Sequence, residues 1–220
     1  MNIAFRSATR TRTRINAAAL ALITGLSLPG PARAEESPAP AAAGVTTTAP
    51  AGWWKNGSKP AAYVVGVDRV KTHGALPSAY VKSIEPAIVG FGGMMQMCSA
   101  ENYRGKRLRL RAWMKTADAN DGGAHLWFRV DGAERNAILQ FDNMDSRPVK
   151  GTADWQEYSI VLDIPANAIA LAYGFFISGT GQAWVSDARI EEVGLEVPST
   201  NMNSNRTQGL PKSPVNLTFE

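Results

Sequence analysis

Apolar and polar residues alternate with a period of two through much of the chain between Trp53 and Val193. The alternation is plainest in KRLRLRAWMKT, Lys106 to Thr116, where Leu108, Leu110, Ala112 and Met114 interleave with Arg107, Arg109, Arg111, Trp113 and Lys115. An extended strand puts such neighbours on opposite faces. AHLWFRVD repeats the pattern: Ala124, Leu126, Phe128 and Val130 share one face, and His125, Trp127, Arg129 and Asp131 share the other. Paired side by side, these two strands would bury aliphatic groups beneath and display cations and two indoles above.

The same reading predicts strands near residues 61–70, 78–85, 91–98, 137–142, 156–164, 169–178 and 182–193, with Gly-containing turns between them and no helical periodicity. The expected fold is all-β, an antiparallel two-sheet sandwich. On the 169–178 strand, Ala170, Ala172, Gly174, Phe176 and Ser178 share a face. Small residues there mean close packing against a neighbour or room for a ligand, and close packing is the commoner reason.

Outside 53–194 the pattern lapses. Residues 1–34 carry a basic front (Arg6, Arg10, Arg12, Arg14), an apolar run from Ile15 to Leu28 and Ala32-Arg33-Ala34, which together predict a signal peptide and a secreted or periplasmic protein. The apolar run falls short of the about 20 residues a transmembrane segment needs. Residues 35–52, rich in Ala, Pro and Thr, read as a flexible linker. Residues 195–214 read as a loop-like tail, and VNLTFE, 215–220, regains strand character; such a strand would complete the sandwich from the other end, pair with another molecule or start a further domain.

Charge changes the picture once the leader is set aside. The whole chain has 23 Lys plus Arg against 19 Asp plus Glu, but residues 1–34 hold five Arg and no acid, leaving 18 against 19. The remainder is near neutral, so basicity gives no ground for a nucleic-acid partner. Cys98 is the one cysteine and lies in an apolar run, which predicts an inert thiol.

Trp113 and Trp127, with Arg109, Arg111, His125 and Arg129, form the candidate ligand-binding face. Indoles stack on sugar rings while guanidinium groups bond to hydroxyls or acidic substituents. The plainer alternative is a solvated outer face whose Arg stems cover the indoles. His73 and His125 are the only histidines, and no nucleophile elbow, zinc-binding helix motif or phosphate loop occurs. Two carboxylates alone could serve a glycosidase, with Asp142, Asp145, Glu157 and Asp163 as the pool.

YRGKRLRLRAWMKT, ADWQEYSIVLDIPANA and GFFISGTGQAWVSDARIEEV together resemble the galactose-binding-like jelly roll of family 4 and family 9 carbohydrate-binding modules. The likeness covers about Trp53 to Val193 and implies a jelly-roll sandwich that binds a polysaccharide or other glycan without catalysis. It also implies a structural calcium, for which Asp187 is the candidate ligand, although Ser186 stands where the family's first acid would be. The alternative is a cell-envelope protein-interaction or assembly domain with an envelope protein as partner; a small hydrolase ranks below both.

Overall fold

The computed structural model describes residues 44–202. The leader at 1–34 and the terminal segment at 215–220 therefore lie outside the described residues. Nine strands follow one another: β1 (Trp54–Gly57), β2 (Tyr63–His73), β3 (Leu76–Ser83), β4 (Phe91–Ser99), β5 (Arg107–Gly132), β6 (Ile138–Asp142), β7 (Val149–Asp163), β8 (Ala168–Ser178) and β9 (Gln182–Val193). Helical structure among the described residues is limited to two three-residue 3-10 turns, Pro60–Ala62 and Glu101–Tyr103.

The architecture turns on β5. Its 26 residues contain both of the stretches that the alternation pattern singled out. They are not partners of each other. Arg107 to Ala117 pairs with β9 on one side, and β7 runs along the other from Arg107 onward. Gly123 to Gly132 pairs with β8, and Phe128 to Asp131 with β6. One layer is thus β7-β5-β9-β3-β2, the other is β1-β4-β8-β5-β6, and every pairing is antiparallel.

The bend that carries β5 between layers lies where the sequence predicts a turn. Asp118, Asp121 and Gly123 have φ of 50°, 59° and 84°, and the register against β7 slips between Met114 and Ala124. Asp tolerates the left-handed region better than most residues, and bulges of this kind bend a strand without ending it. The turn expected between the Lys106–Thr116 and Ala124–Asp131 stretches is therefore corrected to a continuous, bent strand.

Both halves of β5 keep their even-numbered residues in the core. Leu108, Leu110, Ala112 and Met114 from one half and Leu126, Phe128 and Val130 from the other are buried in one cluster with Tyr63, Met94, Ile160, Leu162, Leu171 and Phe175. Each fully buried side chain of this size contributes about 1.5–3 kcal/mol. Odd-numbered residues consequently face outward, away from the core, on two different layers.

The edges differ from the predicted linker. Gly44 to Thr46 lies along β2, with a bridge between Val45 and Asp68, Thr46 N donating to Val67 O at 2.8 Å and Tyr80 Oη donating to Thr46 O at 2.9 Å. At the other end Thr200 N donates to Val161 O at 2.8 Å and Asn201 Oδ1 accepts from Phe141 N at 3.0 Å. Backbone polar groups at strand edges need partners, and these segments supply them.

Candidate functional site

Register places the outward residues of the β1-β4-β8-β5-β6 layer. Trp54 lies opposite Met95, Met95 opposite Gly174, and Gly174 opposite Trp127, so these four form one row across the face. The next row runs Asn56, Gly93, Phe176, His125, and the row on the other side runs Met97, Ala172, Arg129, Phe141. Directly opposed residues share a face in an antiparallel ladder. A cleft of about 370 Å³ opens on this face, lined by Phe91, Trp127, Phe141 and Phe176 with Asn56, Arg129, Asn143, Asp145 and Ser178. A second hollow of about 320 Å³ continues beyond Arg129 towards Met97, Ile138 and Ile169.

The small residues of β8 make the floor of this cleft. A Cβ on Gly174 would collide with the Met94 carbonyl and lie 3.0 Å from the Trp127 indole nitrogen, so the indole is laid down over the glycine. Trp127 is left only 7 % exposed. Arg129 reaches over it, with its Cζ 6.0 Å from the ring centroid. The Arg129 guanidinium pairs with Asp131: Nη2 donates to Oδ2 at 3.0 Å, while Nε sits 2.8 Å from Oδ1 at an angle too poor for a hydrogen bond. Asn56 Oδ1 is buried with no hydrogen-bond partner among the described residues.

The wall at Asn143 is held from behind. Asp142 is fully buried; its carboxylate accepts from Met144 N at 2.8 Å and from Arg147 Nη2 at 2.6 Å. Met144, also buried, has φ of 57°. A non-glycine in that region costs of order 1 kcal/mol and persists only where its surroundings over-determine it. Asp142, facing the core side, thus builds the wall of the cleft from within. Asp145 projects from that wall, exposed and without an ion pair among the described residues.

His125 lies beneath the cleft rather than on it. The ring is 3 % exposed and stacks on Phe176, with centroids 4.4 Å apart and planes at 8°. Its Nδ1 is 2.9 Å from Asn143 O and its Nε2 is 3.1 Å from Gly122 O. Burial holds the imidazole pKa below its usual value, against the upward pull of the two carbonyls and of Asp145.

The rest of the expected binding face sits elsewhere. Arg109, Arg111 and Trp113 belong to the first half of β5 and face outward from the other layer. Their cations are matched by acids of the flanking strands: Arg107 with Asp163, Arg109 with Glu191, Arg111 with Glu157 and Glu191, and Lys115 with Asp154. Trp113 is covered by His73, stacked at 4.1 Å and 19°, with Trp155 beside it. The single Trp/Arg surface is therefore corrected to two separate faces, because the two stretches continue one another instead of pairing. Trp127 and Arg129 line the cleft, and His125 supports it.

Asp187, the candidate calcium ligand, is engaged by Arg189, whose Nε donates to Oδ1 at 2.7 Å. No cluster of three or more His, Cys, Asp or Glu side chains suited to a metal ion occurs among the described residues. Calcium takes six to eight oxygens, and this donor set does not fit it. Cys98 is half-buried, and burial raises its thiol pKa.

No protein-family model matches the chain. An uncharacterized HTH-type transcriptional regulator of Bacillus subtilis, YbfP, is 44 % identical over 170 residues, which are 77 % of this chain and 56 % of the relative. The chain thus spans little more than half of that relative's length. Those 170 residues extend well into the described span, which contains no α-helix and so no helix-turn-helix. Among solved structures, the enzymatically active domain of tailspike protein 4 from bacteriophage CBA120 matches 65 % of this chain and 20 % of its own, at 14 % identity and a TM-score of 0.50. The likeness is one of fold. A family 16 carbohydrate-binding module (13 % identity, 58 % and 85 % coverage, TM-score 0.45) and a xylan-binding domain from CBM 22 (12 %, 66 % and 90 %, TM-score 0.44) also align.

Proposed function

We propose that the chain is an exported, non-catalytic module that binds a glycan in the cleft on the β1-β4-β8-β5-β6 layer. The supporting observation is the lining of that cleft: an indole and three phenylalanine rings set among Asn56, Asn143, Asp145 and Arg129. Apolar faces for sugar rings and amide or charged groups for hydroxyls are what a carbohydrate site requires. Hydrolysis of a glycoside calls for two free carboxylates. Among the described residues Asp145 is the one carboxylate lining the cleft; nearby, Asp131 is paired with Arg129 and Asp142 is buried against Arg147.

Affinity gels containing xylan, mannan or β-glucan, run with residues 35–220, test this reading. Retardation by one polysaccharide is expected, lost in Arg129→Ala/Asp145→Asn and kept in Trp113→Ala, which lies on the other layer. Equal retardation of all three proteins would place any binding outside the cleft, and migration unaffected by every gel would overturn the glycan reading. Export is checked by fractionating cells that express the full chain and one lacking residues 1–34.

The Bacillus subtilis relative favours a second reading, in which the same cleft is the effector site of a regulator. That reading expects a soluble oligosaccharide to bind while the full chain stays with the cytoplasmic fraction. Periplasmic recovery would count against it.

A further inference from the structure

His125 has a carbonyl oxygen opposite each of its ring nitrogens. A neutral imidazole has one N–H; its other nitrogen is only an acceptor. In either neutral tautomer one lone pair therefore faces the lone pairs of Asn143 O or Gly122 O across about 3 Å. With both nitrogens protonated, each donates. The ring lies stacked on Phe176, which holds its plane against tilting.

The two carbonyls belong to the segments that bound one end of the cleft. Asn143 lines it, next to Asp145. Gly122 packs on Ser178, another lining residue, so closely that a Cβ there would lie 2.5 Å from the serine Cβ. We infer that His125 is a positioning residue for the cleft: the protonated ring clasps the 120–123 and 143–147 segments together, and the neutral ring releases one of them. The inference rests on the cleft being the binding site.

The charged groups whose fields reach the ring are Asp145, on the 143–147 segment, and Lys150 on β7; they act in opposite senses. Phe176 on β8 contributes no charge. Provided the released ring keeps its stack on Phe176, the two arrangements differ chiefly in the second carbonyl contact rather than in burial. Protonation therefore favours the clasped arrangement within the folded state, even though it disfavours the folded state as a whole.

Deuterium exchange on the full chain, corrected for intrinsic rates, tests the clasp without any ligand. Lowering the pH from 7 to 5 should slow exchange at 120–123 and 143–147, by at most about tenfold per pH unit, the limit for a fully coupled population. His125→Gln should remove that pH dependence while the β3–β9 amides behave as before. Nitrogen NMR of the wild-type ring should show both nitrogens protonated over the range in which exchange slows. Unchanged protection in the wild type, or the same pH dependence in the variant, would overturn the clasp; so would slowing while the ring stays neutral. Xylan-gel retardation that strengthens over the same range is expected. Absence of retardation at every pH, with the exchange result intact, would sink the glycan reading and leave the clasp standing.

Discussion

At the scale of single residues, the cleft depends on a hydrogen atom at Gly174 as much as on the indole above it. Any side chain there must push the Met94 carbonyl away and lift Trp127 off the sheet. Gly174→Ala should lower stability by about 1–3 kcal/mol, as for overpacking elsewhere. It should also raise Trp127 exposure, seen as a red shift of the emission and faster acrylamide quenching. A variant with wild-type emission and urea midpoint would show that the indole does not rest on the glycine. Asn56 offers a complementary feature, an acceptor oxygen buried without a partner beside the cleft. Leaving such a group unpaired costs of order 1–3 kcal/mol.

At the scale of elements, the two outward faces of β5 have different characters. The first half bears a ladder of ion pairs with β7 and β9 in which Arg109 and Glu191 are each about one-third exposed, at 37 % and 35 %. Pairs open to water are screened and contribute little. Arg109→Ala should therefore leave the urea midpoint nearly unchanged and leave polysaccharide retardation unaltered. Loss of binding in that variant would return the site to the ladder face. The second half lies over the small residues of β8, and there Trp127 and Arg129 border a cleft instead of a charge lattice. The 142–147 segment completes it through a buried carboxylate, so the wall is built by the core side of the sheet.

At the scale of the whole molecule, stability should fall as the solution is acidified, in two stages with different owners. His125 has a folded-state pKa below its unfolded value, chiefly from burial, so the unfolded chain takes up the proton first. Its contribution is present above about pH 6.5 and is lost as pH falls towards the folded value. For Asp68, burial pushes the carboxyl upward, but the N–H groups of Lys71, the Trp184 indole and Val70 together outweigh it and hold the pKa low. Its contribution is present above about pH 3.9 and is lost as pH falls through the folded pKa. Urea midpoints between pH 7 and 3 should decline accordingly, and His125→Gln should remove the upper stage alone. A midpoint independent of pH across that range would contradict both assignments.

The alternation of apolar and polar residues by itself determined that the chain forms strands and which residues of each strand enter the core. A period of two leaves one way to bury Leu108, Leu110, Leu126 and Phe128 together. It marked Trp127 and Arg129 as outward-facing, and it marked the small residues of β8 without saying whether a neighbour or a ligand occupied the space. β1 was missed because Trp54 to Gly57 is too short for a period to show. Only the tertiary structure decided that Lys106 to Thr116 and Ala124 to Asp131 are one strand. A turn-like sequence at 118–123 can reverse a chain or bend it, and the choice is made by partners far along the chain: β9 and β7 for one half, β8 and β6 for the other. That choice separates Trp113 from Trp127 and brings Asn56, Phe91, Asn143 and Phe176 to the same cleft, because strand pairing, unlike strand periodicity, is a property of residues distant in sequence.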